Sequence, residues 1–261
     1  MNSAELINLN SKNLIQERAD SGRVAWKWPL AIVFARLFFA LFAQSLIATL
    51  FFIKSSSPYQ AAADWWPVYG TLIDLGCLIL IIWQLKKEGL RFRDLLNLDP
   101  RHLALDILLG LCFILWVFPL AIAGITGCSL LIFGSPHPPA IYHPLPIWAA
   151  AYSLLIFPVV WGLTEQCTYQ GYALARLEAL LPHPAFAIAM VAFGWGIQHI
   201  ALPLIFDWHY MLYRFLSFLP LAVVMTIVYL RTRRLIPFII AHSAVDMLGV
   251  LSGIIMPMLV K

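Results

Sequence analysis

The sequence predicts an all-α fold: a polytopic integral membrane helical bundle of about seven to eight transmembrane helices. Three observations carry that prediction. Of 261 residues, 62% are hydrophobic and only 11% are charged, where an ordinary soluble domain carries roughly 25% charged residues. So few charges cannot cover a water-exposed surface. Apolar runs long enough for the ~20-residue helix that crosses a bilayer recur along the whole length. The short alternating segments of a transmembrane barrel are absent.

Taken in order, residues 1–27 are polar and of mixed charge, too hydrophilic for the core of a signal peptide, and read as a cytoplasmic N-terminal tail. Residues 28–261 read as a single transmembrane domain without an internal repeat or a second, soluble domain. Spans are expected near 28–53, 65–85, 104–132, 147–180, 185–206, 211–230 and 235–259. The third and fourth are longer than a bilayer requires, so each is expected to tilt, kink or protrude, with Pro119 and Pro158 as the kink points. Splitting either one makes eight spans. Between the second and third, "KKEGLRFRDLLNLDPRH" (86–102) mixes Leu90, Phe92, Leu95, Leu96 and Leu98 with Arg91, Arg93 and Asp94. That pattern suits an amphipathic piece on the inner surface. The proline-rich loop "GSPHPPAIYHPLP" (134–146) reads as a constrained connector.

Basic residues orient the bundle. With the N-terminus inside, the inner segments hold Lys12, Arg18, Arg23, Lys27, Lys86, Lys87, Arg91, Arg93, Arg101, Arg176, Arg231, Arg233 and Arg234. The outer ones hold Lys54, Arg214 and Lys261, as the positive-inside rule requires. The net charge of +4 follows this topology and points to a lipid bilayer, with no nucleic-acid partner. Localisation in the plasma (inner) membrane of a prokaryote is expected. The sequence sets no oligomeric state. Cys77, Cys112, Cys128 and Cys167 lie in apolar context without paired spacing, and read as small buried hydrophobes.

An ionisable group at membrane depth costs at least ~2.5 kcal/mol and marks either function or a specific pair. Arg36, Asp74, Glu165, His199, His242 and Asp246 are such groups, with Asp106 nearer the interface. Arg36 and Asp74, in neighbouring spans, are expected to neutralise one another. The remaining four sit on three different helices. From the ends of their segments, Glu165, His242 and His199 lie roughly 16, 12 and 22 Å deep, which allows them to converge in the middle or inner half of the membrane. His242 and Asp246 are four apart and share a helix face, so the carboxylate can orient the imidazole. Gln166 and Gln170 are also four apart and are expected to hydrogen-bond along their helix in support of Glu165, which points about 100° away from Gln166.

A carboxylate in a partly dry cavity can act as general base toward a water, a histidine can share that water, and a further group can stabilise the oxyanion. This is hydrolysis without a covalent intermediate. No HExxH motif and no GD pair occurs, and Ser252 in "GVLSG" has no histidine after it, which disfavours three other kinds of intramembrane protease. Nitrogen and oxygen ligands suit zinc, so Glu165, His199, His242 and Asp246 also form a candidate set for a divalent metal.

The order Glu165-Gln166-x-x-x-Gln170, Trp195-x-x-x-His199 and His242-x-x-x-Asp246, each in its own helix, resembles the CPBP family of CAAX prenyl proteases and bacteriocin-processing membrane proteins. That family carries EExxxR, FxxxH and HxxxN or HxxxD. The resemblance covers residues 147–259, and the basic 86–99 stretch is similar to a loop that many members carry upstream. It implies that Glu165 and His199 activate water while His242 and Asp246 help to hold the oxyanion.

Three positions depart from the family pattern. Gln166 and Gln170 replace a glutamate and an arginine, a paired exchange that avoids the cost of one buried, unpaired charge. Trp195 replaces phenylalanine and keeps an aromatic wall; Tyr169 and Tyr172 read as packing or cavity-lining aromatics. Asp246 suits a partner of His242 better than an oxyanion donor, because an ionised carboxylate only accepts hydrogen bonds. The expected function is an intramembrane endopeptidase cutting near the C-terminus or membrane end of a lipidated or membrane-inserted protein or peptide. The alternative is a non-proteolytic membrane binding, immunity or scaffold protein of the same fold, for which Gln166 and Gln170 are the supporting feature.

Overall fold

The computed structural model describes residues 8–260. Residues 1–7 of the expected tail, and Lys261 among the expected outer charges, lie outside them. The rest of the tail contains helix α1 (Lys12–Asp20). The chain then continues through α2 (Lys27–Phe51), α3 (Pro58–Ala63), α4 (Trp66–Lys87), α5 (Phe92–Leu96) and α6 (Leu103–Phe133). After the proline-rich loop come α7 (Ile147–Leu155), α8 (Phe157–Gln166), a π-helical segment Cys167–Leu174, and α9 (Ala175–Leu180). The C-terminal part is α10 (Pro184–Gln198), α11 (Trp208–Thr232), α12 (Ile236–Val250), a second π segment Leu251–Ile255, and α13 (Met256–Leu259). Among the described residues the fold is all-α apart from an isolated bridge between Ala201 and Leu204.

The number of spans is smaller than expected. Five helices are long and apolar enough to cross a membrane, or six if the α7–α8 pair, bent by 41°, is one span. The shortfall lies in the expected 185–206 span. Its helix stops at Gln198 after 15 residues, about 22 Å of rise against a hydrocarbon core of about 30 Å. The chain continues in irregular form to Asp207, and its backbone polar groups are met by protein: Gln44 of α2 donates to the Leu204 carbonyl at 2.9 Å and accepts from the Leu204 N–H at 2.7 Å. Irregular backbone at membrane depth is tolerated only where protein or a cavity supplies such partners.

Of the two expected kink points, Pro158 lies just after the break at Ile156, in the first turn of α8, where its missing N–H costs nothing. Pro119 lies inside α6, which runs unbroken over 31 residues. Two of the four cysteines, Cys77 and Cys167, are buried as expected, whereas Cys128 is half-buried and Cys112 is exposed on the outer face of α6.

One end of the bundle gathers the basic segments. Arg176 forks onto Glu88, with Nε to Oε1 at 3.1 Å and Nη2 to Oε2 at 2.6 Å, and Tyr172 donates to the same carboxylate at 2.9 Å. Asn10 closes this network, accepting from Arg176 at 2.5 Å and donating to the Gly171 carbonyl at 2.8 Å. Ile15 of α1 is fully buried against Ala175 and Ala179. Arg233 pairs with Glu178 and Arg234 with Asp106. In the 86–102 piece Leu90 and Leu95 turn inward, while left-handed backbone at Asn97 ends α5.

Helices α11 and α12 both pack along α6, and α12 also packs on α8. Gly124 permits the first approach, since its Cβ position faces the Ser217 carbonyl oxygen of α11. Gly162 permits the approach of α8 to α12, with a Cβ position 3.0 Å from the Ser243 backbone nitrogen. A methyl group at position 124 would meet backbone rather than a movable side chain. Gly124→Ala is therefore expected to destabilise the protein by about 1–3 kcal/mol through forced separation of α6 and α11. Thermal unfolding in detergent measures this, and an unchanged midpoint would contradict the packing described.

Candidate active site

Glu165 and Gln166 end α8, where the backbone widens into the π-helical segment. π-helical turns recur at functional sites and break the i,i+4 register of an α-helix. The expected Gln166–Gln170 hydrogen bond is accordingly not formed. Gln166 Nε2 lies 2.8 Å from His242 Nδ1 on α12, and neither polar atom of Gln170 has a hydrogen-bond partner. A fully buried helix has given the two amides different neighbours.

The Glu165 carboxylate meets one donor and one guanidinium from other helices. Trp195 Nε1 on α10 donates to Oε1, and Arg36 Nη2 on α2 lies 3.4 Å from Oε2. Arg36 also donates from Nη1 to Asp74 Oδ1 at 2.8 Å and from Nε to Gln198 Oε1 at 2.8 Å, with its guanidinium 4.1 Å from the centre of the Trp161 ring. The expected Arg36–Asp74 pair therefore exists, and it is part of a larger cluster that includes the site glutamate. The family arginine position is occupied by Gln170, and a guanidinium reaches Glu165 from the first long helix instead. Nothing in the local 165–170 pattern signals this; only the need of a buried arginine for carboxylate partners hints at it.

His199 stands at the C-terminal end of α10, beside Gln198. Its Nδ1 lies 2.8 Å from the Trp195 carbonyl. A carbonyl only accepts, so Nδ1 carries the hydrogen and Nε2 keeps its lone pair. The imidazole is stacked on Phe218, with ring centres 4.0 Å apart and planes within 11°. His242 has the opposite arrangement. The Gln166 amide nitrogen donates to Nδ1, which leaves the hydrogen on Nε2, and this atom lies 3.4 Å from Asp246 Oδ2. The i,i+4 spacing of His242 and Asp246 thus does place the pair together. Tyr169 supports Trp195 by stacking at 5.7 Å and bonds to the Gly194 carbonyl at 3.1 Å.

Glu165, His199, His242 and Asp246 line one cavity of about 70 Å³, several times what a single water needs. Trp195, Trp161 and Phe218 form much of its apolar wall, and Ile141 and Tyr142 of the proline-rich loop close one side. That loop follows α6, which starts at the basic end, so the cavity extends toward the opposite end of the bundle. Arg214 of α11 also lines it. The sequence places Arg214 among the outer charges, near the start of the expected 211–230 span; the helix itself begins at Trp208.

Among the described residues no three His, Cys, Asp or Glu side chains come together as ligands. Glu165 is turned toward a guanidinium, and His242 Nε2 faces Asp246 at 3.4 Å.

Residues 146–248 match the family described as type II CAAX prenyl endopeptidase Rce1-like. The match spans all three motifs and bears out the CPBP resemblance. No curated protein and no solved structure matches the chain.

The hydrogen bonding separates two substitutions. Trp195→Phe keeps the stack on Tyr169 but removes the N–H to a carboxylate, an interaction worth about 1.5–3 kcal/mol. Gln170→Leu removes a buried amide that has no partner, a change that is neutral or stabilising. Unfolding midpoints should fall for the first and hold or rise for the second; the reverse order would contradict the site as described.

Proposed function

We propose that the protein is an intramembrane endopeptidase in which Glu165 and His199 activate a water that attacks a peptide carbonyl. The match of residues 146–248 supports endopeptidase chemistry of the CAAX type in general terms. The observation that carries the finer reading is the convergence of Glu165, His199, His242 and Asp246, from three helices, on one cavity among apolar walls.

In this reading Glu165 removes a proton from water, with the His199 Nε2 lone pair as a second acceptor that orients it. The oxygen adds to the carbonyl carbon, and the tetrahedral oxyanion accepts a hydrogen bond from His242 Nε2–H. Gln166 fixes the required tautomer from the other side of the ring, and Asp246, 3.4 Å from Nε2, is the neighbour from which that N–H turns to the oxyanion. Glu165 then returns the proton to the leaving nitrogen as the C–N bond breaks. When Glu165 becomes neutral in the first step, the Arg36 cation keeps a counter-charge in Asp74. No step requires a metal.

The substrate class is a membrane-embedded or lipidated protein or peptide cut near its C-terminal or membrane end. The basic end of the bundle, with α1, would face the cytoplasm of a prokaryotic inner membrane. A non-proteolytic binding role keeps only Gln170 as its supporting feature, because Gln166 is engaged with a histidine of the site rather than idle.

Glu165→Ala and His199→Ala are each expected to slow cleavage by about 10²–10⁴-fold, the usual contribution of a positioned acid–base group. Asp246→Asn, which keeps a hydrogen-bonding partner for His242, should retain most of it. Accumulation of uncleaved membrane substrate in cells provides the readout. Unchanged processing in both alanine variants, at normal protein levels, would rule the proposal out.

A further inference from the structure

Arg214 is 2% exposed, yet no carboxylate lies within ion-pair distance of it among the described residues. The other fully buried arginines, Arg36 and Arg176, each face at least one acid. A buried cation without a counter-charge is costly, and at membrane depth such a group marks a ligand or ion path. Its two identified polar contacts are backbone carbonyls of the irregular segment after α10: Nε to His199 O at 3.3 Å and Nη2 to Leu202 O at 2.6 Å. The guanidinium lies 5.2 Å from the centre of the Phe218 ring, on which His199 also stacks. It lines the same cavity as Glu165, His199 and His242.

We infer that Arg214 binds the free C-terminal carboxylate of the substrate. A planar guanidinium matches a carboxylate geometrically, and within an apolar cavity the pairing excludes a neutral end group strongly. The bond from Nε to the His199 carbonyl places the guanidinium next to the residue that carries the water-sharing imidazole. A chain anchored there by its terminal carboxylate presents a peptide bond close to its own C-terminus to Glu165. The leaving fragment is therefore short, and its free acid is the feature recognised. Arg214 is a binding residue in this account and takes no part in the proton transfers. The inference rests on the proposed peptidase reading for what is cut, but carboxylate recognition is separable from cutting.

The test uses one dye-labelled, acyl-anchored peptide with aliphatic C-terminal residues, made as the free acid and as the C-terminal amide. Binding to the full-length Glu165→Gln protein in detergent is followed by fluorescence anisotropy, with and without Arg214→Gln; cleavage of both peptides is followed in the protein with native Glu165. The acid is expected to bind at least about 30-fold more tightly than the amide, since breaking a desolvated, hydrogen-bonded charge pair costs at least ~2 kcal/mol. Arg214→Gln should abolish that preference, and Arg214→Lys should restore part of it. Equal binding of acid and amide by the Arg214 protein overturns the inference, as does a preference that survives Arg214→Gln. A variant that slows cleavage of both peptides equally, without changing relative affinity, also overturns it by assigning Arg214 to loop support. Acid-selective binding without any cleavage supports the carboxylate site while rejecting the peptidase reading.

Discussion

One buried guanidinium holds the site together. Arg36 of α2 touches Asp74 of α4, Glu165 of α8 and Gln198 of α10, and lies over the Trp161 ring. Four helices therefore meet at a single cation that hydrocarbon could not otherwise accommodate. The consequence is positional. Arg36 fixes the carboxylate proposed as the base, and through Gln198 it fixes the residue that precedes the histidine proposed to share its water. Removing a charge from such a cluster leaves another one unpaired, so the ion cluster constrains the helix arrangement as well as the chemistry.

The departures from the family pattern make sense as one rearrangement. Where the pattern has an acid and an arginine within one helix, this chain has two amides, and the guanidinium comes from α2. Trp195, in place of phenylalanine, adds an N–H to Glu165. Gln166, in place of glutamate, donates to His242 Nδ1. Each replacement would look damaging alone. Together they leave Glu165 with an N–H on one oxygen and a guanidinium 3.4 Å from the other, and His242 in a defined tautomer. The short α10 belongs to the same design: by ending at Gln198 it leaves His199 at a helix terminus, beside irregular backbone that Arg214 and Gln44 hold in place.

Much of this was legible in the sequence. The long apolar runs marked the helices to within a few residues, because hydrophobic length is what a bilayer selects. The rarity of ionisable groups in those runs singled out Glu165, His199, His242 and Asp246, and a fixed helical rise was enough to bring them to similar depth. The i,i+4 relation of His242 and Asp246 survived because α12 is a regular helix through Val250. The Gln166–Gln170 relation failed because the backbone after Gln166 is π-helical, and no local residue preference announces that change of pitch. The extra reach of Arg36, the tautomer set by Gln166 and the inward turn of Arg214 depend on how helices rotate against one another. Single-chain periodicity does not contain that information. The span count erred for a related reason: hydropathy through residue 206 continues after the helix has stopped.

The coupling between Arg36 and Glu165 tests the central claim most directly. A double-mutant cycle with Arg36→Met and Glu165→Gln, read as unfolding free energy in detergent, isolates it. A direct buried pair predicts a coupling of about 0.5–3 kcal/mol, with the double variant less destabilised than the sum of the single ones. Additivity within about 0.5 kcal/mol would show that the two residues do not share an interaction, and would contradict the account.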